Sequence, residues 1–248
     1  MAIRRNFTNS LCEKYGKDEA DALFFYAVET LTGLDKAQIL AKDNYGLTDE
    51  TKPELENVRV KLLQNVPIQH IFGKTEFCGL TFKVNKNVLI PRPETAELVN
   101  FAAEGRGAHL DGKDKDEDFR VLDIGTGSGC IAISIAKRLP NATVRAIDVS
   151  PAALKTAQEN ARLNSVDVEF MQGDALKLDD MKCGKEMYDV IVSNPPYIKE
   201  SERKNMSANV LDFEPSLALF VPDDNALMFY RAIARYAVEH LYRGGKLL

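Results

Sequence analysis

Residues 194 to 197 read Asn-Pro-Pro-Tyr and end the apolar run Tyr188-Asp-Val-Ile-Val-Ser193. These residue types suit one task, the gripping of a planar nitrogen that carries two hydrogens. In a carboxamide or an exocyclic base amine the nitrogen lone pair is shared with a π-system. Such a nitrogen is alkylated only when it is held so that the lone pair emerges on one face. The Asn194 side-chain oxygen and a backbone carbonyl beside Pro195 can each accept one of its N–H groups. Pro195 and Pro196 fix φ and remove competing donors, and Tyr197 can lie flat on the held group. Asn-Pro pairs also open ordinary turns, so the tetrapeptide gains meaning only beside a site that supplies an electrophile.

Asp123-Ile-Gly-Thr-Gly-Ser-Gly129 is a candidate for that site. It lies between the apolar run Val121–Ile124 and a helical stretch from Cys130 to Leu139. Glycines at such a turn let the backbone approach a ligand where a helix begins. Asp148 ends the next apolar run, at a spacing that suits two hydrogen bonds to ribose hydroxyls. Asp174 follows the third run, where it could meet an adenine amine. Two cofactor classes share this geometry. A nicotinamide dinucleotide usually wants G-x-G-x-x-G around a pyrophosphate. The G-x-G-x-G of Gly125, Thr126, Gly127, Ser128 and Gly129, preceded by Asp123, is similar to the S-adenosylmethionine loop of class I methyltransferases.

The elements that must position these groups follow from periodicity. Residues 1–73 read as helices, with Ala20, Leu23, Phe24, Ala27, Val28 and Leu31 on one stripe and Thr32-Gly33 as its end. Asp35 can cap a short helix. Thr51-Lys-Pro-Glu54 has the form of a capping box, before the apolar face Leu55, Val58, Leu62 and Leu63. Residues 74–90 change period and predict a hairpin around Gly79, and a helix follows through Phe101. Residues 104 to 119 form a polar loop. From Arg120 onward strands alternate with helices: strands at 121–124, 143–147, 168–171 and 188–193, a long helix at 225–242, and a fifth strand from Gly244. This predicts an α/β domain over 91–248, with a parallel sheet covered on both faces.

The chain has 248 residues, 45% hydrophobic, and a net charge of −5. An overall basic footprint for nucleic acid is absent. No apolar stretch approaches the ~20 residues that span a membrane, and the start, Met1-Ala-Ile-Arg-Arg-Asn, lacks the apolar core of a secretory signal. Cys12, Cys78, Cys130 and Cys183 are too scattered for a zinc site or a disulfide framework and read as reduced thiols of a cytoplasmic protein. His70, His109 and His240 read as structural, and no metal is expected.

Together the loop and Asn194-Pro-Pro-Tyr197 resemble amino methyltransferases. Pro67-Ile-Gln-His-Ile-Phe-Gly73, Phe77 to Phe82 and Leu89-Ile-Pro-Arg-Pro-Glu-Thr95 narrow the resemblance to the HemK/PrmC family, as do Glu214-Pro-Ser-Leu-Ala-Leu219 and Phe229-Tyr-Arg231. The resemblance covers nearly the whole chain. It implies a class I S-adenosylmethionine-dependent methyltransferase domain, a small N-terminal helical substrate-docking domain at 1–73 and a β-hairpin linker at 74–90. It implies transfer of a methyl group to the glutamine N5 of the Gly-Gly-Gln loop of class 1 peptide chain release factors, with no need for nucleic acid.

The resemblance also implies roles. Gly125 to Gly129 hold the methionine part of the cofactor, Asp148 its ribose, and Asp174 with Ala175 its adenine. Pro91 to Thr95 close the cofactor side, Thr95 foremost. Asn194 and Pro195, with Pro196 beside them, bind the glutamine amide, and Tyr197 packs against it. Three departures stand out: Ala96 where the family has Glu, Phe220-Val221 where it has Gly-Gly, and an end at Leu248 where it continues through another helix and two strands. The last predicts a C-terminally incomplete domain with an uncovered sheet edge, less stable or dependent on a partner. The alternatives are a ribosomal-protein glutamine methyltransferase, a nucleic-acid amino methyltransferase, and a catalytically disabled cofactor-binding protein.

Overall fold

The computed structural model describes residues 2–104, 119–180 and 186–248. Most of the polar loop expected at 104–119, with His109 and Cys183, lies outside these residues. The chain divides into two compact units, one of residues 1–73 with 208–213, the other of 74–207 with 214–248.

The first unit is helical: α1 (Ala2–Tyr15), α2 (Lys17–Thr32), α3 (Lys36–Ala41), α4 (Thr51–Leu63) and α5 (Ile68–Phe72). The expected stripe on α2 is its buried face, and Phe24 at its centre meets Phe7 and Tyr45 edge-on at centroid distances of 5.5 and 5.2 Å. Gly33 ends α2 in the left-handed conformation, its N–H on the Glu29 carbonyl. Asp35 and Gln38 form a capping box on α3. At α4 the expected box is displaced. Thr48 and Thr51 exchange side chain-to-backbone bonds in place of Thr51 and Glu54, because the hydroxyl of Thr51 already turns back to the Thr48 N–H. Leu63, expected on the apolar face, is exposed.

The second unit opens with the hairpin β1 (Lys74–Phe77) and β2 (Leu80–Lys83). Its turn residues Cys78 and Gly79 have φ of 51° and 75°, the paired positive values that match the twist of a two-residue hairpin. Then follow α6 (Ala96–Glu104), β3 (Arg120–Ile124), α7 (Cys130–Arg138), β4 (Thr143–Asp148), α8 (Pro151–Leu163), β5 (Glu169–Gln172) and β6 (Tyr188–Ser193). The chain continues through β7 (Ile198–Lys199), α9 (Ala208–Leu211), β8 (Phe220–Val221), α10 (Met228–His240) and β9 (Leu241–Leu247). The helix expected at 225–242 is shorter than its apolar pattern, since 223–225 form a separate 3₁₀ turn and Leu241 already pairs with Tyr188 in the sheet.

The main sheet has the order β5-β4-β3-β6-β9, and its pairings are parallel. Alternate residues feed two cores. Val121, Val144, Ala146, Val190 and Val192 pack with α6 and α7 on one face, while Leu122, Ile124, Ile147 and Ile191 pack with α10 on the other. The doubly wound architecture is as expected. Ile124 stands opposite both Ile147 and Ser193. The strands therefore end flush, and residues 125, 148 and 194 emerge along one edge, where open α/β sheets bind ligands.

Buried polar side chains hold the loop that leaves β3. Asp123 Oδ2 accepts the Thr126 hydroxyl at 2.7 Å and the Ala132 N–H at 3.2 Å. Asp148 Oδ2 accepts the Gly127 N–H at 2.8 Å. Asn160, fully buried on α8, donates to the Ser128 carbonyl at 2.9 Å and exchanges bonds with Lys83 on the hairpin at 2.7 and 3.0 Å. Removing Asn160 strands all three partners. Asn160→Ala is expected to lower stability by about 2–4 kcal/mol in urea unfolding. Asn164→Ala, which removes an exposed bond to Thr81, is expected to cost less than about 1 kcal/mol; equal costs would contradict the network.

Burial raises the Asp123 carboxyl from 3.8 to about 7. Between these values the folded chain keeps a proton that the unfolded chain has lost. The resulting stability is full below about pH 4 and is lost as pH rises to about 7. Asp123→Asn is expected to remove this slope. Measured at pH 4.5 and 7.5, the variant gains on the native protein at the higher pH; curves that stay parallel would contradict the buried acid.

Candidate active site

At the carboxyl edge of the sheet lies a cavity of about 310 Å³. Its floor is Ile124, the loop from Gly125 to Ser128, and Ser193. Asp148 to Ser150 and Gly173 to Leu176 form one side, and Asn194, Pro195 and Pro196 another. The lining is completed by Asn87 to Leu89, Pro91, Arg92 and Thr95, and by Pro215, Leu217, Ala218 and Phe229. The fold thus brings Gly125, Thr126, Gly127, Ser128, Asp148, Asp174, Ala175, Thr95, Asn194, Pro195 and Pro196 to one space.

Two expected residues stand apart from it. Gly129 caps α7 with φ of 82°. A side chain there would lie 2.7 Å from Ile133 Cδ1 and 3.1 Å from Ala157 Cβ, so this glycine allows close packing of α7 on α8 and does not face the cavity. Tyr197 is outside the wall and 59% exposed.

The loop geometry separates the two cofactor classes that its sequence left open. The N–H groups of Gly125 and Thr126 both reach the Ile147 carbonyl, at 2.8 and 2.9 Å, and that of Gly129 reaches the Thr126 carbonyl. The Gly127 N–H is held by Asp148. A pyrophosphate needs such donors, and here the protein has taken them. Asp148 and Asp174 add negative charge to the lining. Arg92, the cation among the described lining residues, is paired with Glu214 at 2.6 Å. This balance favours a cationic ligand over an anionic one. Gly125 and Gly127, at φ of 77° and 56°, have open space where a side chain would begin, and so leave room for a ligand against the backbone.

The Asn194 amide meets the hydroxyl of Thr95. Nδ2 donates to Thr95 Oγ1 at 3.4 Å. Among the described residues no protein group donates to Asn194 Oδ1 or to the Pro195 carbonyl, and the two prolines have no N–H. The site thus offers acceptors beside a ligand cavity, which is what a two-hydrogen nitrogen requires. The chain leaves the tetrapeptide through β7, which pairs in parallel with β8. Phe220 and Val221, which stand where Gly-Gly was expected, form that short strand and are buried, with the Arg203 guanidinium 4.0 Å over the Phe220 ring. Cys130, also in the lining, is held neutral, its thiol pushed up to about 12 by burial, so it is no nucleophile at neutral pH.

Sequence reasoning assigned no cavity role to Val88, Leu217 or Phe229. Apolar residues that line a cavity carry the same pattern as those that fill a core. Glu214 was noted only within a motif. Its side chain is 1% exposed, and besides Arg92 it accepts the Ile90 N–H at 3.2 Å.

Known proteins resemble this chain over most of its length. Residues 2–73 match the family described as PrmC N-terminal domain, and residues 108–213 match the methyltransferase small domain. The release factor glutamine methyltransferase of Flavobacterium psychrophilum is 43% identical over 98% of this chain and 83% of its own length. That of Bacteroides thetaiotaomicron is 45% identical over 96% and 82%, and that of Streptococcus pneumoniae 37% over 98% and 81%. With relatives this similar over this much of its length, the chain belongs to the HemK/PrmC family, the release factor glutamine methyltransferases.

Proposed function

We propose that this protein transfers a methyl group from S-adenosylmethionine to the side-chain N5 of the glutamine in the Gly-Gly-Gln motif of class 1 peptide chain release factors. The observation that carries the proposal is the pair of unclaimed acceptors, Asn194 Oδ1 and the Pro195 carbonyl, beside a cavity whose lining is acidic and whose loop N–H groups at Gly125, Thr126 and Gly127 are already bonded. The cavity residues fit the cofactor, which supplies a methyl group on a positively charged sulfur. Gly125, Thr126, Gly127 and Ser128 hold its methionine part. Asp148 accepts from the ribose hydroxyls through lone pairs not used by Gly127 and Ser150, and Asp174 and Ala175 border the adenine. Pro91 to Thr95 close that side.

Asn194 and the Pro195 carbonyl take one N–H each of the glutamine amide, and Tyr197 folds over the held group. As the nitrogen becomes pyramidal and partly cationic, these acceptors bind it more strongly than the flat amide, which is the differential binding that accelerates a reaction. Holding the nitrogen in line with the methyl group supplies the larger share, on the order of 7–11 kcal/mol for good alignment. No histidine lines the cavity among the described residues, and the proton departs to water once the nitrogen is cationic. The helical unit at 1–73 docks the release factor. The reaction needs no nucleic acid and takes place in the cytoplasm, where release factors act. Among the described residues no helix is long and apolar enough to cross a membrane.

The test is transfer of labelled methyl to an intact release factor, supplied as the sole macromolecular substrate, with the modified residue mapped by mass spectrometry. Label is expected on the Gly-Gly-Gln glutamine. Asn194→Ala is expected to lower transfer at least ~100-fold while the cofactor Kd stays within ~3-fold. Asp148→Asn is expected to act the other way, weakening cofactor binding about tenfold with kcat little changed at saturation. Cofactor binding without label on any release factor would contradict the proposal.

A further inference from the structure

An asparagine side chain has two unlike ends, and half a turn about its last torsion exchanges acceptor for donor. Only one orientation serves Asn194. With Oδ1 toward the substrate it accepts an amide N–H; with Nδ2 there it opposes one. The neighbouring backbone cannot choose between them. Pro195 and Pro196 have no N–H. The Ser193 N–H is bonded to the Leu248 carbonyl and the Ser193 hydroxyl to the Ile124 carbonyl. The productive orientation needs an acceptor for Nδ2 on the side away from the substrate.

Thr95 stands at that place. It is buried, and its hydroxyl accepts from Asn194 Nδ2 at 3.4 Å, long as such contacts are before a ligand tightens them. Its own position is fixed from behind. It closes the 3₁₀ turn Pro93–Thr95, its N–H on the Arg92 carbonyl at 3.1 Å. The Arg92 guanidinium is clamped to Glu214, whose second oxygen holds the Ile90 N–H. The segment that leads to the hydroxyl is thus held at Ile90 and Arg92.

We infer that Thr95 is a positioning residue for transfer, holding the Asn194 carboxamide with its oxygen toward the substrate amide, in addition to bordering the cofactor. The inference rests on the function proposed above. The hydroxyl could also donate to a flipped carboxamide, so the substrate N–H sets the sense and Thr95 supplies the acceptor that keeps Nδ2 paired in it; without the hydroxyl, the productive orientation leaves Nδ2 without a partner.

The test compares the native enzyme with Thr95→Val, which keeps the shape, and Thr95→Ser, which keeps the hydroxyl. Each is assayed for kcat and KM toward release factor at saturating S-adenosylmethionine, with cofactor Kd by calorimetry. Thr95→Val is expected to lose about tenfold in kcat with cofactor Kd within twofold, and Thr95→Ser to stay within threefold of native kcat. An unchanged kcat in Thr95→Val would overturn the inference. So would a cofactor Kd that rises in step with the loss, or a Thr95→Ser as slow as Thr95→Val. Absence of transfer by the native enzyme would instead sink the functional proposal, and this inference with it.

Discussion

Three successive residues of one loop, Thr126, Gly127 and Ser128, are each tied to a polar side chain from a different element. Asp123 on β3 takes the first, Asp148 at the end of β4 the second, and Asn160 on α8 the third. The rest of the site depends on this arrangement. A turn from strand to helix with positive φ at Gly125 and Gly127 would otherwise be mobile. Here it is fixed to the sheet and, through Asn160, to the hairpin. The cost is a fully buried acid whose carboxyl sits at about 7. Buried networks of this kind specify one conformation because loss of a member strands its partners, although Asp123 Oδ1 itself is buried without a hydrogen bond among the described residues.

The same bonds decide what the loop can hold. Donors already given to Ile147, Asp148 and Thr126 are not available to phosphate oxygens, and the remaining charge of the lining is acidic. The turn has given its Gly125, Thr126 and Gly127 N–H groups to the protein, and its acidic surroundings favour positive charge. At the neighbouring strand end, proline backbone without N–H leaves acceptors unclaimed. The parallel sheet joins the two halves: because Ile124, Ile147 and Ser193 are in register, the glycine-rich loop, Asp148 and Asn194 come to one edge without any long loop.

Much of this was legible in the sequence because the signals are local. Strand-loop-helix patterning placed the Gly-rich turn, and Asp148, Asp174 and Asn194 each follow an apolar run. What could not be read depended on distant partners. Asn160 looks like any polar residue of an amphipathic helix until β2 passes beside it. Arg92 and Glu214 are 122 residues apart. Gly129 belongs to the motif by spacing, yet it faces Ile133 and Ala157 instead of the cavity. Residues 208–213 interrupt the second unit to cluster with the N-terminal helices, a choice that no periodicity in a short segment records. The cap of α4 was misplaced by three residues because threonines at 48 and 51 compete for the same backbone.

The central claim is that Asn194 and Pro195 hold the glutamine amide by its two N–H groups, in line with the cofactor. A crystal structure with S-adenosylhomocysteine and a peptide containing Gly-Gly-Gln tests it most directly. The amide nitrogen is expected within hydrogen-bond distance of both Asn194 Oδ1 and the Pro195 carbonyl, facing the sulfur, with Asn194 Nδ2 on Thr95. A glutamine held through its carbonyl oxygen by Asn194 Nδ2, or bound away from residues 194–196, would contradict it.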